Sequence, residues 1–132
     1  MCIRDRFKLA AMRLDDSHLI RRAHKIVSIK ALLLHELTGS WIEDDGIASA
    51  SGLFNIKERK WDDELLNVLG LDCAQLPDIQ GRTEFAGTVA SAGASAFGLP
   101  QGVPVIVGSG DGFLANVGST CEDPSRLSLI HI

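Results

Sequence analysis

Late in the chain, Gly108-Ser109-Gly110-Asp111-Gly112 follows directly on the apolar run Gly102-Val103-Pro104-Val105-Ile106-Val107. A strand that empties into a glycine-rich turn ahead of a helix is a recurrent ligand position in α/β sheets. The glycines let backbone approach a bound molecule closely. Asp111 would stand at the mouth of this strand, where a carboxylate can accept a proton from a bound hydroxyl. The same residue could instead cap the helix that begins at Gly112, the more frequent job for an aspartate so placed. The local residues leave both roles open.

Two other chemistries require residues that this turn lacks. A dinucleotide fingerprint needs Gly-x-Gly-x-x-Gly, and counting from Gly108 the sixth position is Phe113. A dinucleotide-binding oxidoreductase domain is the alternative from a different class, and it also needs an acidic residue roughly 20 positions on to hold the ribose. A nucleophile elbow needs Gly-x-Ser-x-Gly, but Ser109 follows Gly108 directly. His18, His24 and His35 show no ligand spacing, so surface or packing roles are expected and no metal-ligating residue is assigned. Glu43-Asp44-Asp45 could bind a cation; a cap before Ile47-Ala48 is the simpler reading. Trp41 and Trp61 read as packing residues.

Helix and strand signals alternate around these candidates, which predicts an α/β class. Asp15-Asp16-Ser17 offers N-cap chemistry to a short helix over His18–Ala23, and Lys25–Ser28 is β-branched enough for a short strand. Ser28 can cap a second helix with Ile29, Leu32, Leu33 and Leu37 at helical spacing, stopped by Gly39. Asp62 caps a helix closed by Gly70, with Trp61 and Leu66 at the positions of a hydrophobic staple. A small-residue helix over Ser91–Phe97 ends at Gly98-Leu99-Pro100. The apolar run ending at Val107 predicts a strand buried on both faces, and Phe113–Val117 a helix.

The ends read differently from the rest. Met1-Cys2-Ile3-Arg4-Asp5 translates ATG TGT ATA AGA GAC, the mosaic-end adapter of transposase-based sequencing libraries, and Arg6 fits the adapter's remaining bases. Leu127-Ser128-Leu129-Ile130-His131-Ile132 translates its reverse complement. Residues 1–6 and 127–132 are therefore expected to be adapter-derived, leaving 7–126 as a piece cut at both ends. Met1 is then no biological start, and Cys2 and His131 leave the chemical argument.

The net charge is −4, and it becomes one unit more negative without Arg4, Asp5 and Arg6. There is no basic stripe, so nucleic acid is not expected as a partner. Cys73 and Cys121 are far apart and lack CxxC spacing, which argues against a disulfide framework and for a reducing, cytoplasmic setting. No apolar run reaches the roughly 18 residues of a membrane span.

With these residues in order, a family pattern emerges. Val27-Ser28-Ile29-Lys30 and Leu33-Leu34-His35-Glu36-Leu37-Thr38-Gly39 resemble the segment that precedes an Asp-x-Ser/Thr-x-Ala-Ser motif in the FGGY carbohydrate kinases. That motif is similar to Asp44-Asp45-Gly46-Ile47-Ala48-Ser49, with Gly46 where Ser or Thr is usual. Gly52-Leu53-Phe54-Asn55, Trp61-Asp62, Leu76-Pro77, Gly98-Leu99-Pro100 and the turn at Asp111 follow in the family's order. A second departure lies at Lys8-Leu9-Ala10-Ala11-Met12, where Ala11 replaces the Trp of the family signature. Ile47–Asn55 and Asp111–Gly118 resemble the gluconokinase-like branch. Relatives acting on xylulose or glycerol carry an amide side chain after the catalytic Asp; Gly112 has none, which argues against those substrates.

The resemblance implies a ribonuclease-H-like (actin-like ATPase) fold, with this piece the later half of the first domain of a two-domain sugar kinase. It implies ATP-dependent phosphorylation of a sugar or sugar acid, gluconate-like for preference, with Mg²⁺. Xylulose, glycerol or another polyol is the alternative within the family. Asp111 becomes the general base, and Gly110 and Gly112 line the substrate. Sugar and ATP are the expected partners, most ATP contacts lie outside this piece, and a homodimer of the full-length protein is compatible with it.

Overall fold

The computed structural model describes residues 4–119. Cys121 and the expected adapter residues 1–3 and 127–132 lie outside them. Helices α1 (Arg4–Asp15), α2 (Ser17–Arg22) and α3 (Ile29–Thr38) come first. Then follow β1 (Ile42–Asp44), α4 (Asp45–Ser51), the hairpin strands β2 (Phe54–Asn55) and β3 (Lys60–Trp61), and α5 (Asp63–Leu69). A 3-10 turn at Cys73–Gln75 leads to β4 (Asp78–Gln80), and β5 (Phe85–Thr88), α6 (Ser91–Phe97), β6 (Pro104–Ile106) and α7 (Asp111–Gly118) complete the order. No helix among the described residues is long and apolar enough to cross a membrane.

Short polar residues set the helix starts. Asp16 accepts from the N–H groups of His18 and Leu19, Ser28 from Ala31, and Asp62 from Leu65. Each satisfies donors that the first turn leaves open. Gly39 and Gly70 close α3 and α5 in the left-handed region, with φ of 81° and 69°.

The sheets are small. β1 and β4 run parallel, with Ile42 opposite Asp78 and Asp44 opposite Gln80. Their crossover carries α4, the β2–β3 hairpin and α5, as a parallel pair requires. β5 and β6 pair antiparallel, with a register shift between Phe85 and Gly87. Trp61 and Leu66 share the main core with Ile20, Ala48, Leu53, Leu69, Leu71 and Leu76, and the Trp61 indole N–H donates to Pro77 O. Trp41 stacks on His35, with ring centroids 3.7 Å apart. Both tryptophans are packing residues, as read from the sequence. A second, smaller core joins Leu34, Ile42, Ala86 and Val107.

One expectation is corrected. Lys25–Ser28 is extended but pairs with no strand; Ile26 N–H donates instead to Gln75 O in the 3-10 turn. In this piece the final strand has one covered face, the other being open. Val105 and Val107 turn inward while Pro104 and Ile106 face outward, and β5 is its one partner strand among the described residues.

In α3 the buried residues are Ala31 and Leu34, whereas Ile29, Leu32 and Leu33 are exposed. Lys30, in the first turn of the helix, reaches the buried acids on the inner side. That inner side also approaches α6 closely. A Cβ at Gly93 would stand 2.7 Å from Glu36 O and 2.8 Å from Leu37 Cα.

Candidate active site

Two acidic residues end β1 in full burial, Glu43 at 2% exposure and Asp44 at 0%. Such carboxylates persist only when paired and hydrogen-bonded. Asp44 ends the strand and caps α4, its Oδ1 accepting from Gly46 N–H at 2.9 Å and Ile47 N–H at 3.2 Å. Its other oxygen accepts from Lys30 Nζ. Glu43 accepts from the Ser28 hydroxyl and lies 3.8 Å from Lys30 Nζ. The acidic run thus acts as a cap, as the simpler sequence reading has it, and it is also the seat of an ion cluster.

The cluster reaches the glycine-rich turn at two points. Lys30 Nζ donates to Gly108 O at 2.9 Å, and Ser109 Oγ donates to Asp44 Oδ1 at 2.5 Å. Gly108 has φ of +68°, a conformation that favours glycine, and its N–H donates to Arg82 O at 2.8 Å. Gly110 packs against Ile47; a Cβ there would stand 3.1 Å from Ile47 Cδ1. The turn is therefore held on both sides before it delivers the next residue.

That residue is Asp111, exposed at the first position of α7. The N-cap is Gly110, with no side-chain hydrogen bond, and Asp111 Oδ1 accepts from Gly112 N–H at 2.7 Å. Asp111 thus lies inside the helix and is not its N-cap residue. Its carboxylate takes no part in the salt bridges among the described residues. Gly110, Asp111 and Gly112 are contiguous at one helix mouth, and the Asn116 side chain donates to Gly112 O at 3.0 Å. An open cleft of about 320 Å³ lies beside the turn, lined in part by Gly46, Ser109, Phe113, Arg59 and Arg82. Asp111 is not among its lining residues.

The electrostatics of the two buried acids diverge. Burial opposes ionisation of Asp44, but hydrogen bonds from Lys30 and Ser109 outweigh it and hold the carboxyl below its ordinary range. For Glu43, burial prevails over Ser28 and Lys30 and raises the carboxyl above its ordinary range. Asp44 is the ionised partner of Lys30.

Sequence reasoning singled out Gly110, Asp111 and Gly112, which the structure places at one helix mouth, and did not single out Lys30, Asp44 and Ser109 as the groups that hold this turn. One signal was present. A lysine in the first turn of an otherwise apolar helix, Ser28-Ile29-Lys30-Ala31-Leu32-Leu33-Leu34, needs an anion if it faces inward. Among the described residues no group of three or more His, Cys, Asp or Glu converges as a metal site would require.

The chain matches the N-terminal domain of the FGGY family of carbohydrate kinases over residues 5–118. It is 30% identical over 116 residues to an L-fuculokinase of Escherichia coli (strain K12), covering 88% of this chain and 25% of that protein. It is 28% identical over 111 residues to a gluconokinase of Bacillus subtilis (strain 168), covering 84% and 22%. The crystal structure of gluconate kinase from Lactobacillus acidophilus superimposes with a TM-score of 0.81 at 28% identity, covering 88% of this chain and 24% of that one. The chain thus spans about a quarter of the length of these relatives, and its fold is part of their actin-like ATPase N-terminal domain.

Proposed function

Because the chain belongs to the FGGY family of carbohydrate kinases, we propose that it is part of an enzyme that phosphorylates a sugar or sugar-acid hydroxyl at the expense of ATP. One observation carries this reading: a strand and glycine-rich turn, anchored by Lys30 and Asp44, present an exposed Asp111 carboxylate that makes no salt bridge among the described residues. In this reading Asp111 is the general base. It accepts the proton of the substrate hydroxyl as that oxygen attacks the terminal phosphorus, and the bond to the leaving diphosphate breaks. Gly110 and Gly112 leave room for the sugar beside the carboxylate. No side chain stands at either position to compete for the hydroxyl.

ATP with Mg²⁺ is the phosphoryl donor that family membership implies. The described residues do not by themselves assemble a cation site, so the donor's contacts are assigned to the rest of a longer protein and no step is routed through the ion. Residues 7–126 are proposed as the later part of the N-terminal domain, and 1–6 and 127–132 as adapter-derived. We favour a gluconate-like substrate in a cytoplasmic enzyme. The support is Gly112, which lacks the amide of the xylulose- and glycerol-directed relatives, and the wording of Asp111–Gly118.

The test is a coupled ADP-release assay on the full-length enzyme with gluconate, fuculose, xylulose and glycerol as acceptors. Sugar-dependent ADP release, fastest with gluconate, is the expected result. Release with another acceptor alone overturns the substrate, and no release with any carbohydrate overturns the kinase reading. Continuing the sequence past Arg126 adds a second check, since a Gly-Thr-Ser/Thr-Gly phosphate loop is expected there.

A further inference from the structure

A single hydroxyl fastens the turn to the buried acids. Ser109 Oγ reaches Asp44 Oδ1, the oxygen that already caps α4 through Gly46 and Ile47. This seat exists because residue 46 has no side chain. A Cβ at Gly46 would stand 2.7 Å from Asp44 Oδ1, 2.8 Å from Ser109 Oγ and 3.1 Å from the Phe113 ring. Gly46 is not among the residues with positive φ, so its backbone imposes no need for glycine. Glycine inside a helix costs about 1 kcal/mol relative to alanine, yet it stands within α4, buried. The space taken by Ser109 and Asp44 accounts for that choice.

We propose that Gly46 and Ser109 are a matched pair that positions Asp111. The empty place at 46 admits the Ser109 hydroxyl, and its bond to Asp44 sets the direction in which the turn leaves toward α7. Asp44 makes an effective anchor because Lys30 binds it and the Gly108 carbonyl together. Ser109 touches neither the reacting atoms nor the substrate in this scheme. It is a positioning residue, and its effect on turnover passes through the carboxylate two residues on. The inference rests on the reading of Asp111 as general base, but the match between 46 and 109 is measurable without it.

The test uses the full-length enzyme with Ser109→Ala, Ser109→Thr, Gly46→Ala and the double variant Gly46→Ala/Ser109→Ala. Ser109→Ala is expected to lower kcat roughly tenfold while KM for sugar and ATP stays within about twofold, the signature of a misplaced group with binding kept. Ser109→Thr keeps the hydroxyl and should recover most of that loss. Gly46→Ala should lower kcat and the unfolding midpoint in the wild-type background. In the Ser109→Ala background one of the two oxygens it collides with is gone and Asp44 Oδ1 is released from the Ser109 bond, so its added effect should be smaller than in the wild-type background, less than additive. Wild-type kcat in Ser109→Ala, or independent effects at 46 and 109, overturns the proposal. If no carbohydrate is phosphorylated, the base reading fails, and the unfolding midpoints of the same four variants still decide: strictly additive shifts mean the two positions are not matched.

Discussion

Lys30 Nζ and the carbonyl oxygen of Gly108 meet at 2.9 Å across 78 positions of chain, and the same ammonium binds the buried Asp44 carboxylate. One cation thus joins the first turn of α3, the end of β1 and the turn before α7. Asp111, three residues beyond Gly108, inherits its place from that junction.

The role of Asp111 is tested by Asp111→Asn in the full-length enzyme. The amide keeps shape and hydrogen bonding but takes no proton, so kcat should fall by roughly 10²–10⁴ with KM for the sugar largely kept. Steady-state kinetics measure it. Near-normal turnover would reduce Asp111 to a helix-terminal residue.

Lys30→Met keeps the aliphatic stem and removes the charge. Two buried carboxylates would then face each other without a cation, and the loss should be about 3 kcal/mol. Thermal unfolding of the variant and the wild type compares them. A loss below about 1 kcal/mol would mean that solvent or another group compensates the acids.

The two acids should pull stability in opposite directions with pH. Asp44 titrates below its ordinary range when folded, so its contribution is complete above the unfolded aspartate pKa and is lost as pH falls through the folded value. Glu43 titrates above its ordinary range, so its contribution is complete below the unfolded glutamate pKa and is lost as pH rises through the folded value. Glu43→Gln deletes the second dependence alone. The midpoint of the variant relative to wild type should therefore rise as pH climbs above the ordinary glutamate range. A difference that stays flat, or falls, contradicts the assigned direction for Glu43.

Residues 7–126 expressed alone should be inactive and poorly folded. Ile29 is 76% exposed and Phe85 57%, and β6 presents Ile106 at 54% on a sheet with a single partner strand. Apolar edges of this kind promote association, and a whole domain is stable by only about 5–15 kcal/mol. Urea unfolding with a parallel measurement of mass in solution decides the matter. A monomer with a sharp cooperative transition would show a self-sufficient domain.

The parts of this fold written in local chemistry were legible in the sequence. Ser28 before α3, Asp62 before α5, Gly39 and Gly70 after them, and the turn at 108–112 all follow from backbone preferences of single residues. What escaped depends on partners distant in sequence. Lys30 on α3 binds Asp44, fourteen positions on in another element, a contact that local sequence does not announce. Ser109 looked like an ordinary turn residue, because its partner lies 65 positions earlier. Continuous apolar composition predicted a doubly buried final strand, and within this quarter-length piece alternate residues of it are covered.

The near contact of Gly93 with the α3 backbone has a reach beyond packing. Ala90 N–H donates to Leu37 O, Val89 N–H to Val103 O, and β6 leads from there to Gly108. The absence of one methyl group at Gly93 therefore works as a spacing gauge. It sets how near α6 comes to α3, and through Val89 and Val103 it sets where the last strand ends relative to Lys30. Added carbon at that joint would be read out some fifteen to twenty residues later, as ångström-scale drift of a carboxylate it never touches.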